Sequence, residues 1–241
     1  MKKHIPNFVT LLNLFCGSIA VVFAMNGELQ LAAYFILLGI VFDYFDGFLA
    51  HKLNAVSELG LHLDSLADVV TSGVAPGIIM YQLLVLAGPD WGINASISSP
   101  IEISTDNLIP FIGLLIPLAA AYRLAKFNVS ADQTEHFWGI PTPANALLIL
   151  SLPLILVYQN NDIMNGIILN RWVLIGLTIA SCILMNARIK LLAMKFRNLS
   201  FKDNSARYML IILAIVLLVI FQFAAIPLIV LAYIIVSLLN K

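Results

Sequence analysis

Residues 41–70, VFDYFDGFLAHKLNAVSELGLHLDSLADVV, contain four carboxylates in or beside strongly apolar sequence. Asp43 and Asp46 are three residues apart and Asp64 and Asp68 are four apart, so each pair lies on one face of a helix. An ionisable group at membrane depth costs about 2.5–3.5 kcal/mol on insertion scales. Four such groups need a compensating partner, and two helices with two carboxylates each predict a pair of divalent metal ions.

The chain as a whole is apolar enough to be a polytopic membrane protein. Of its 241 residues 61% are hydrophobic and 11% are charged, and the mean hydropathy is +0.97. A soluble domain cannot bury that much apolar surface. The formal net charge of zero argues against a nucleic-acid partner. Because Cys16 and Cys182 both fall in apolar runs, we expect neither a disulfide framework nor a thiolate metal site.

Apolar runs of about 20 residues predict eight membrane-spanning helices. The expected ranges are 7–25, 29–51, 63–88, 107–128, 140–158, 171–193, 208–222 and 225–239. The first is expected to be an uncleaved span, since no small-residue cleavage site follows it. The last two form one long run, and Gln222 and Pro227 bracket the expected turn between two short helices. The alternative is seven spans, with the C-terminus on the other side.

Basic residues predict the orientation of these spans. In the eight-span arrangement 12 of the 13 Lys and Arg residues fall on one side, and the exception is Arg171. We therefore expect both termini and the four aspartates on the cytoplasmic side of the membrane. The loop 89–106 has no Lys or Arg and is expected outside. No separate soluble domain and no clear internal repeat are apparent, so residues 1–241 are expected to form a single domain.

The acidic stretch resembles a family signature. Its spacing is Asp43-x2-Asp46-Gly47-x2-Ala50-His51-x8-Gly60-x3-Asp64-x3-Asp68. It is similar to the signature of the CDP-alcohol phosphotransferases, D-x2-D-G-x2-A-R-x8-G-x3-D-x3-D, at seven of eight fixed positions. The departure is His51, which replaces an arginine that contacts the CDP portion in the family. Histidine still donates hydrogen bonds, although its charge differs, and Lys52 beside it is a candidate substitute.

Further blocks resemble the phosphatidylserine synthase branch of that family. They are IPNFVTLLNLFCG at 5–17, DSLADVVTSGVAPG at 64–77, AYRLAKFNV at 121–129 and FWGIPTPANA at 137–146. They cover the first two thirds of the chain, whereas the final third is similar only in being hydrophobic. The resemblance implies a six-helix core within about 1–193, commonly a homodimer, with an additional C-terminal helix pair at about 208–239.

The resemblance also implies an activity and a set of site residues. The expected reaction transfers the phosphatidyl group of CDP-diacylglycerol to the hydroxyl of L-serine and releases CMP, with two divalent cations, Mg²⁺ or Mn²⁺. Asp68 is the expected general base, and the expected metal ligands are Asp43, Asp46, Asp64 and Asp68. The expected contacts to CDP-diacylglycerol are Asn7, Thr10, Gly47, His51, Ser57 and Gly60.

Serine recognition and two rival functions are left open by the sequence. Arg123, Lys126 and Asn128 end the expected fourth span and are hypothesised to bind serine, although they serve equally well as orientation signals. One rival keeps the chemistry but uses glycerol 3-phosphate or inositol phosphate as acceptor. The other is a divalent-cation transporter, which predicts acidic residues spread across membrane depth rather than clustered at one end.

Overall fold

The computed structural model describes residues 4–88, 108–129, 137–192 and 204–239. The loop 89–106 and six of the basic residues fall outside these ranges, namely Lys2, Lys3, Lys195, Arg197, Lys202 and Lys241. The described chain is predominantly helical. Its strands are a two-residue antiparallel pair, in which Phe137 pairs with Leu191 and Trp138 pairs with Lys190. The prediction of an all-helical class is confirmed at this level.

The described ranges contain ten α-helices. In chain order they are α1 (Ile5–Met25), α2 (Leu29–Lys52), α3 (Glu58–Asp68), α4 (Ala75–Leu86), α5 (Leu115–Val129), α6 (Thr142–Tyr158), α7 (Asp162–Ile168), α8 (Arg171–Asn186), α9 (Ser205–Phe221) and α10 (Ala225–Leu239). A π-helical turn, Val69–Val74, joins α3 to α4, so these elements form one segment. The 3₁₀ turns Ile109–Leu114 and Gln222–Ala224 precede α5 and α10.

Five helical segments in the described ranges are long and apolar enough to cross a bilayer: Ile5–Met25, Leu29–Lys52, Glu58–Leu86, Ile109–Val129 and Arg207–Leu239. A sixth is added if α7 and α8, bent by 58°, count as one span. Helix α6 is apolar but has 17 residues. Eight spans are therefore not confirmed. Helices α9 and α10 have 17 and 15 residues, fewer than the roughly 20 that a perpendicular crossing needs.

Two predicted helix ends are wrong by several residues. Helix α3 begins at Glu58 rather than near 63, because the Ser57 hydroxyl accepts a hydrogen bond from Gly60 N and caps the helix. The connection from α2 is therefore only residues 53–57. Helix α8 ends at Asn186 rather than near 193, because the chain becomes extended at Ala187 and continues into the strand pair.

The C-terminal helix pair is attached to the rest of the fold at both ends. At one end, the Gln159 side chain donates to Phe221 O and accepts from Ala224 N, each over 2.8 Å. These two hydrogen bonds fix the turn at Gln222 between α9 and α10, where φ is 47°. The sequence predicts a turn at this place. At the other end, Tyr233 Oη donates to Leu192 O over 3.0 Å.

Small residues bring α1, α2 and the π-helical turn into close contact. A Cβ atom on Gly39 would lie 2.6 Å from Thr71 Cγ2, and one on Gly17 would overlap Thr71 Oγ1. Buried alanines continue this packing on α1 and α2, namely Ala20, Ala24, Ala32 and Ala33. Between apolar helices, close backbone approach of this kind supplies the van der Waals contact that holds them together. The packing sets the position of α3 relative to α1 and α2.

Candidate metal and substrate site

The structure gathers three of the four aspartates into one cluster. One carboxylate oxygen from each of Asp43, Asp64 and Asp68 lies within 4.8 Å of the others. Because α2 and α3 are joined by residues 53–57, the end of α2 and the start of α3 lie together at one end of the fold. Asp68 is 8% exposed, whereas Asp43 and Asp64 are half-buried.

Asp46 is separate from this cluster of three but adjoins it. Its side chain is 6% exposed and lies beside the Thr10 side chain of α1. It is also close enough to Asp64 for the two carboxylates to repel each other. In the described part of the chain, its Oδ2 atom has no hydrogen-bond partner. Asp46 therefore presents an oxygen to the same end of the fold as the cluster.

The chemistry of these donors fits divalent metal ions. The Asp43 and Asp64 side chains are in hydrogen-bonding contact, and two carboxylates in contact need a proton or a cation between them. Asp64 Oδ1 is buried and, among the described residues, without a hydrogen-bond partner. Sets of carboxylate oxygens without nitrogen or sulfur are the ligands that Mg²⁺ and Mn²⁺ prefer. The residues present are thus suited to the predicted metals.

Polar side chains on α1 form one wall of the site. Asn7, Thr10 and Asn13 are spaced by three residues, so they follow one face of the helix. Thr10 Oγ1 donates to Pro6 O over 3.1 Å, and Asn13 Nδ2 donates to Asp68 Oδ1 over 3.5 Å. Asn13 is absent from the predicted site. The spacing of three that it shares with Asn7 and Thr10 was the signal that would have identified it.

The two signature glycines have different surroundings. A Cβ atom on Gly47 would meet no described atom within 4 Å, so the space beside Asp46 is open there. A Cβ atom on Gly60 would lie 3.1 Å from Asn7 Oδ1 and 3.2 Å from Ser57 Oγ. The close approach of α1 and the helix cap thus accounts for Gly60, whereas Gly47 leaves room for a ligand.

The substitution of the family arginine lies at the edge of the site. His51 and Lys52 are both exposed in the last turn of α2. Lys52 Nζ lies 5.5 Å from the centre of the Phe48 ring, within the range of a cation–π contact. The sequence-predicted CDP contact at His51 is therefore accessible, and a second cationic side chain lies next to it in the sequence.

The residues hypothesised to bind serine make contacts within the protein. Arg123 Nε donates to Met185 O over 3.0 Å, and Arg123 Nη2 lies 3.5 Å from Gly139 O. These bonds connect α5 to the end of α8 and to the segment before α6. Asn128 Nδ2 donates to Ser65 Oγ over 2.8 Å, which connects α5 to α3. Lys126 is exposed.

Comparison with known proteins points to one family. The family model described as CDP-alcohol phosphatidyltransferase matches residues 3–184, which include the site and exclude α9 and α10. The chain is 35% identical to CDP-diacylglycerol--serine O-phosphatidyltransferase of Bacillus subtilis over 154 residues, which is 62% of this chain and 75% of that protein.

Two more distant relatives come from other domains of life. The chain is 30% identical to archaetidylserine synthase of Methanothermobacter thermautotrophicus over 149 residues, 61% of this chain and 56% of that protein. It is 33% identical to CDP-diacylglycerol--serine O-phosphatidyltransferase of Saccharomyces cerevisiae over 165 residues, 62% of this chain and 53% of that protein. In both cases the chain therefore spans little more than half of the relative.

Proposed function

Because the chain belongs to the CDP-alcohol phosphatidyltransferase family, we propose that it transfers the phosphatidyl group of CDP-diacylglycerol to the hydroxyl of L-serine. The products are phosphatidylserine and CMP. The observation that carries this proposal is the carboxylate cluster of Asp43, Asp64 and Asp68 at one end of apolar helices. The choice of serine is supported by the names of the bacterial, archaeal and yeast relatives, all of which contain serine, although the archaeal name denotes a different lipid product.

Asp43, Asp46, Asp64 and Asp68 hold two divalent cations in this proposal, Mg²⁺ or Mn²⁺. Asp43, Asp46 and Asp64 are assigned to one ion, and Asp43, Asp64 and Asp68 to the other. The ions, when bound, supply charge neutralisation on the pyrophosphate and on the departing CMP. The contact between Asp43 and Asp64 supports their role as shared ligands, since a cation bound between them takes the place of the proton that two carboxylates in contact otherwise share.

Asp68 takes the proton in the transfer step. It accepts the proton of the serine hydroxyl while that oxygen forms a bond to the phosphatidyl phosphorus. The bond from this phosphorus to the CMP oxygen breaks, and CMP leaves with the electron pair. A carboxylate that also ligates metal is a weak base, so the main contribution of Asp68 is to orient the hydroxyl.

The remaining site residues bind the two substrates. Asn7, Thr10, Gly47, His51, Ser57 and Gly60 contact CDP-diacylglycerol, and the open space beside Gly47 supports entry of its phosphates there. Arg123, Lys126 and Asn128 recognise serine, and the cationic side chains of Arg123 and Lys126 are the groups of opposite charge to its carboxylate. The bonds of Arg123 and Asn128 to neighbouring helices hold this end of α5 in place.

The arrangement in the membrane follows from the same proposal. Residues 1–241 form a single integral membrane domain, in which a core of about 1–193 is followed by the α9–α10 pair for a total of eight spans. The termini and the site lie on the cytoplasmic side of a bacterial inner membrane. Serine reaches the site from the cytoplasm, and CDP-diacylglycerol reaches it from the bilayer. The enzyme is a homodimer.

An acceptor screen tests the proposal. Purified wild-type protein in detergent is given CDP-diacylglycerol with L-serine, glycerol 3-phosphate or inositol phosphate, and CMP release is measured with Mn²⁺, with Mg²⁺ and with EDTA. We expect release with serine and metal and none with EDTA. If another alcohol causes CMP release and serine does not, serine is the wrong acceptor, but the phosphatidyl-transfer reaction is still supported. Uptake of Mn²⁺ into proteoliposomes without any CMP release would support a cation transporter instead.

A further inference from the structure

Asn13, which has no role in the proposed reaction, contacts the carboxylate of Asp68. It is fully buried on α1, and its amide Nδ2 donates to Asp68 Oδ1 over 3.5 Å, long for an N–H···O bond. Its Oδ1 atom has no hydrogen-bond partner in the described ranges. A buried acceptor without a partner costs free energy, and an apolar side chain would fill the same space without that cost. Packing alone therefore does not explain an asparagine at this position. The contact with Asp68 is the evident reason for it.

The backbone of Asn13 is held in place independently of that contact. Thr71 Oγ1 donates to Asn13 O over 3.1 Å. Thr71 is itself wedged between Gly17 and Gly39, where no Cβ atom would fit. It belongs to the π-helical turn that begins directly after Asp68, and turns of this kind occur frequently at functional sites. Asn13 and Asp68 are therefore held opposite each other by the packing of two helices.

An amide suits this position because it is a neutral donor. A lysine or arginine beside Asp68 would satisfy the carboxylate with a positive charge and would compete with a metal ion for it. An amide N–H orients one carboxylate oxygen and adds no charge to the cluster. Hydrogen-bond donors of this type, one step removed from the metal, orient ligands and tune the site.

We propose that Asn13 is a positioning residue for Asp68. Its amide holds one oxygen of the Asp68 carboxylate so that the other oxygen faces the metal ions and the serine hydroxyl. This inference rests on the proposed function only in taking Asp68 as a metal ligand and proton acceptor. The same contact predicts an effect on metal binding that is measurable without any substrate.

A double-mutant cycle on metal affinity tests the proposal. The full chain is purified as wild type, Asn13→Leu, Asp68→Asn and the double variant, and Mn²⁺ binding is followed by the electron paramagnetic resonance signal of free Mn²⁺. We expect Asn13→Leu to weaken Mn²⁺ binding about 10-fold and to lower kcat for CMP release about 10- to 100-fold. The KM for CDP-diacylglycerol should change by less than about threefold, because the lipid substrate does not contact Asn13 in this proposal. In the Asp68→Asn background, Asn13→Leu should have almost no further effect on Mn²⁺ binding.

Thr178→Val is the matched control for losing a buried polar group. Thr178 is fully buried on α8, and its hydroxyl donates to Leu174 O of its own helix. We expect wild-type Mn²⁺ affinity and kcat from this variant. If Asn13→Leu does not fold, Asn13→Ser is used, because its side chain is too short to reach Asp68.

Two results would overturn the inference. One is that Asn13→Leu weakens Mn²⁺ binding as much in the Asp68→Asn background as in the wild type. The other is a folded Asn13 variant with wild-type kcat and wild-type Mn²⁺ affinity. If the wild type binds Mn²⁺ in an Asn13-dependent way but releases no CMP with serine, the proposed function fails and this inference stands.

Discussion

Asn128 Nδ2 donates a hydrogen bond to Ser65 Oγ over 2.8 Å and so joins the last turn of α5 to α3, one residue beyond Asp64. Ser65 Oγ in turn donates to Leu61 O of its own helix over 3.1 Å. This chain of bonds couples the proposed serine residues to the helix that carries two of the four aspartates. Variants of Asn128 and of Ser65, made separately, therefore distinguish a contact with serine from a contact between the helices.

Replacing Asn128 with alanine tests whether it contacts serine. We expect Asn128→Ala to raise the KM for serine roughly 5- to 10-fold, equivalent to about 1 kcal/mol for one hydrogen bond, with little change in the KM for CDP-diacylglycerol. The measurement is CMP release at varied serine. Ser65→Ala is the control, since it removes the helix contact and keeps the amide. If Ser65→Ala raises the serine KM equally, Asn128 acts through α3 rather than on the substrate.

Replacing Arg123 with alanine should affect both stability and serine binding. Two backbone carbonyls, Met185 O and Gly139 O, lose their donor, and each unpaired buried acceptor costs about 1–3 kcal/mol. We expect a lower thermal midpoint and a serine KM raised well beyond that for CDP-diacylglycerol. Arg123→Lys keeps the charge but not the forked geometry, so it should recover only part of either effect. Equal increases in both KM values would remove Arg123 from the serine pocket.

Removing the Asp68 carboxylate should lower kcat because this residue belongs to the cluster, whereas removing a carboxylate elsewhere should not. We expect Asp68→Asn to lower kcat for CMP release by about 10²- to 10⁴-fold, because the proton acceptor and a metal ligand are lost together. Asp162→Asn is the matched control, since Asp162 is exposed in the first turn of α7, away from the cluster. It should keep wild-type kcat. Comparable losses in the two variants would mean that the effect at Asp68 is not catalytic.

A methyl group at Gly17 should disturb the site from a distance. A Cβ atom there would overlap Thr71 Oγ1, so Gly17→Ala must push α1 away from the π-helical turn at a cost of about 1–3 kcal/mol. We expect a lower thermal midpoint together with weaker Mn²⁺ binding. Gly176→Ala on α8 is the control, because a Cβ there meets no described atom within 4 Å. A Gly17→Ala variant as stable as Gly176→Ala would contradict the close packing of α1 against Thr71.

Local spacing accounts for what could be predicted about the site. The i,i+3 spacing of Asp43 and Asp46 and the i,i+4 spacing of Asp64 and Asp68 put each pair on one helix face, and a short connection brings the two faces together. The start of α3 was misplaced because the Ser57 cap extends that helix into polar sequence. The number of spans was not settled by hydropathy, because α6, α9 and α10 are apolar but short.

Composition and helical periodicity are local properties, so they suffice to predict that this chain is helical, apolar and acidic at one end of two neighbouring helices. Which partners those residues have depends on how the helices pack. Asn13 reaches Asp68 across 55 residues of sequence, and Arg123 reaches Met185 across 62. Contacts at such separations depend on how closely the helices approach, and for Asn13 and Asp68 that approach is set by Gly17 and Gly39, which let α1 and α2 pack against Thr71.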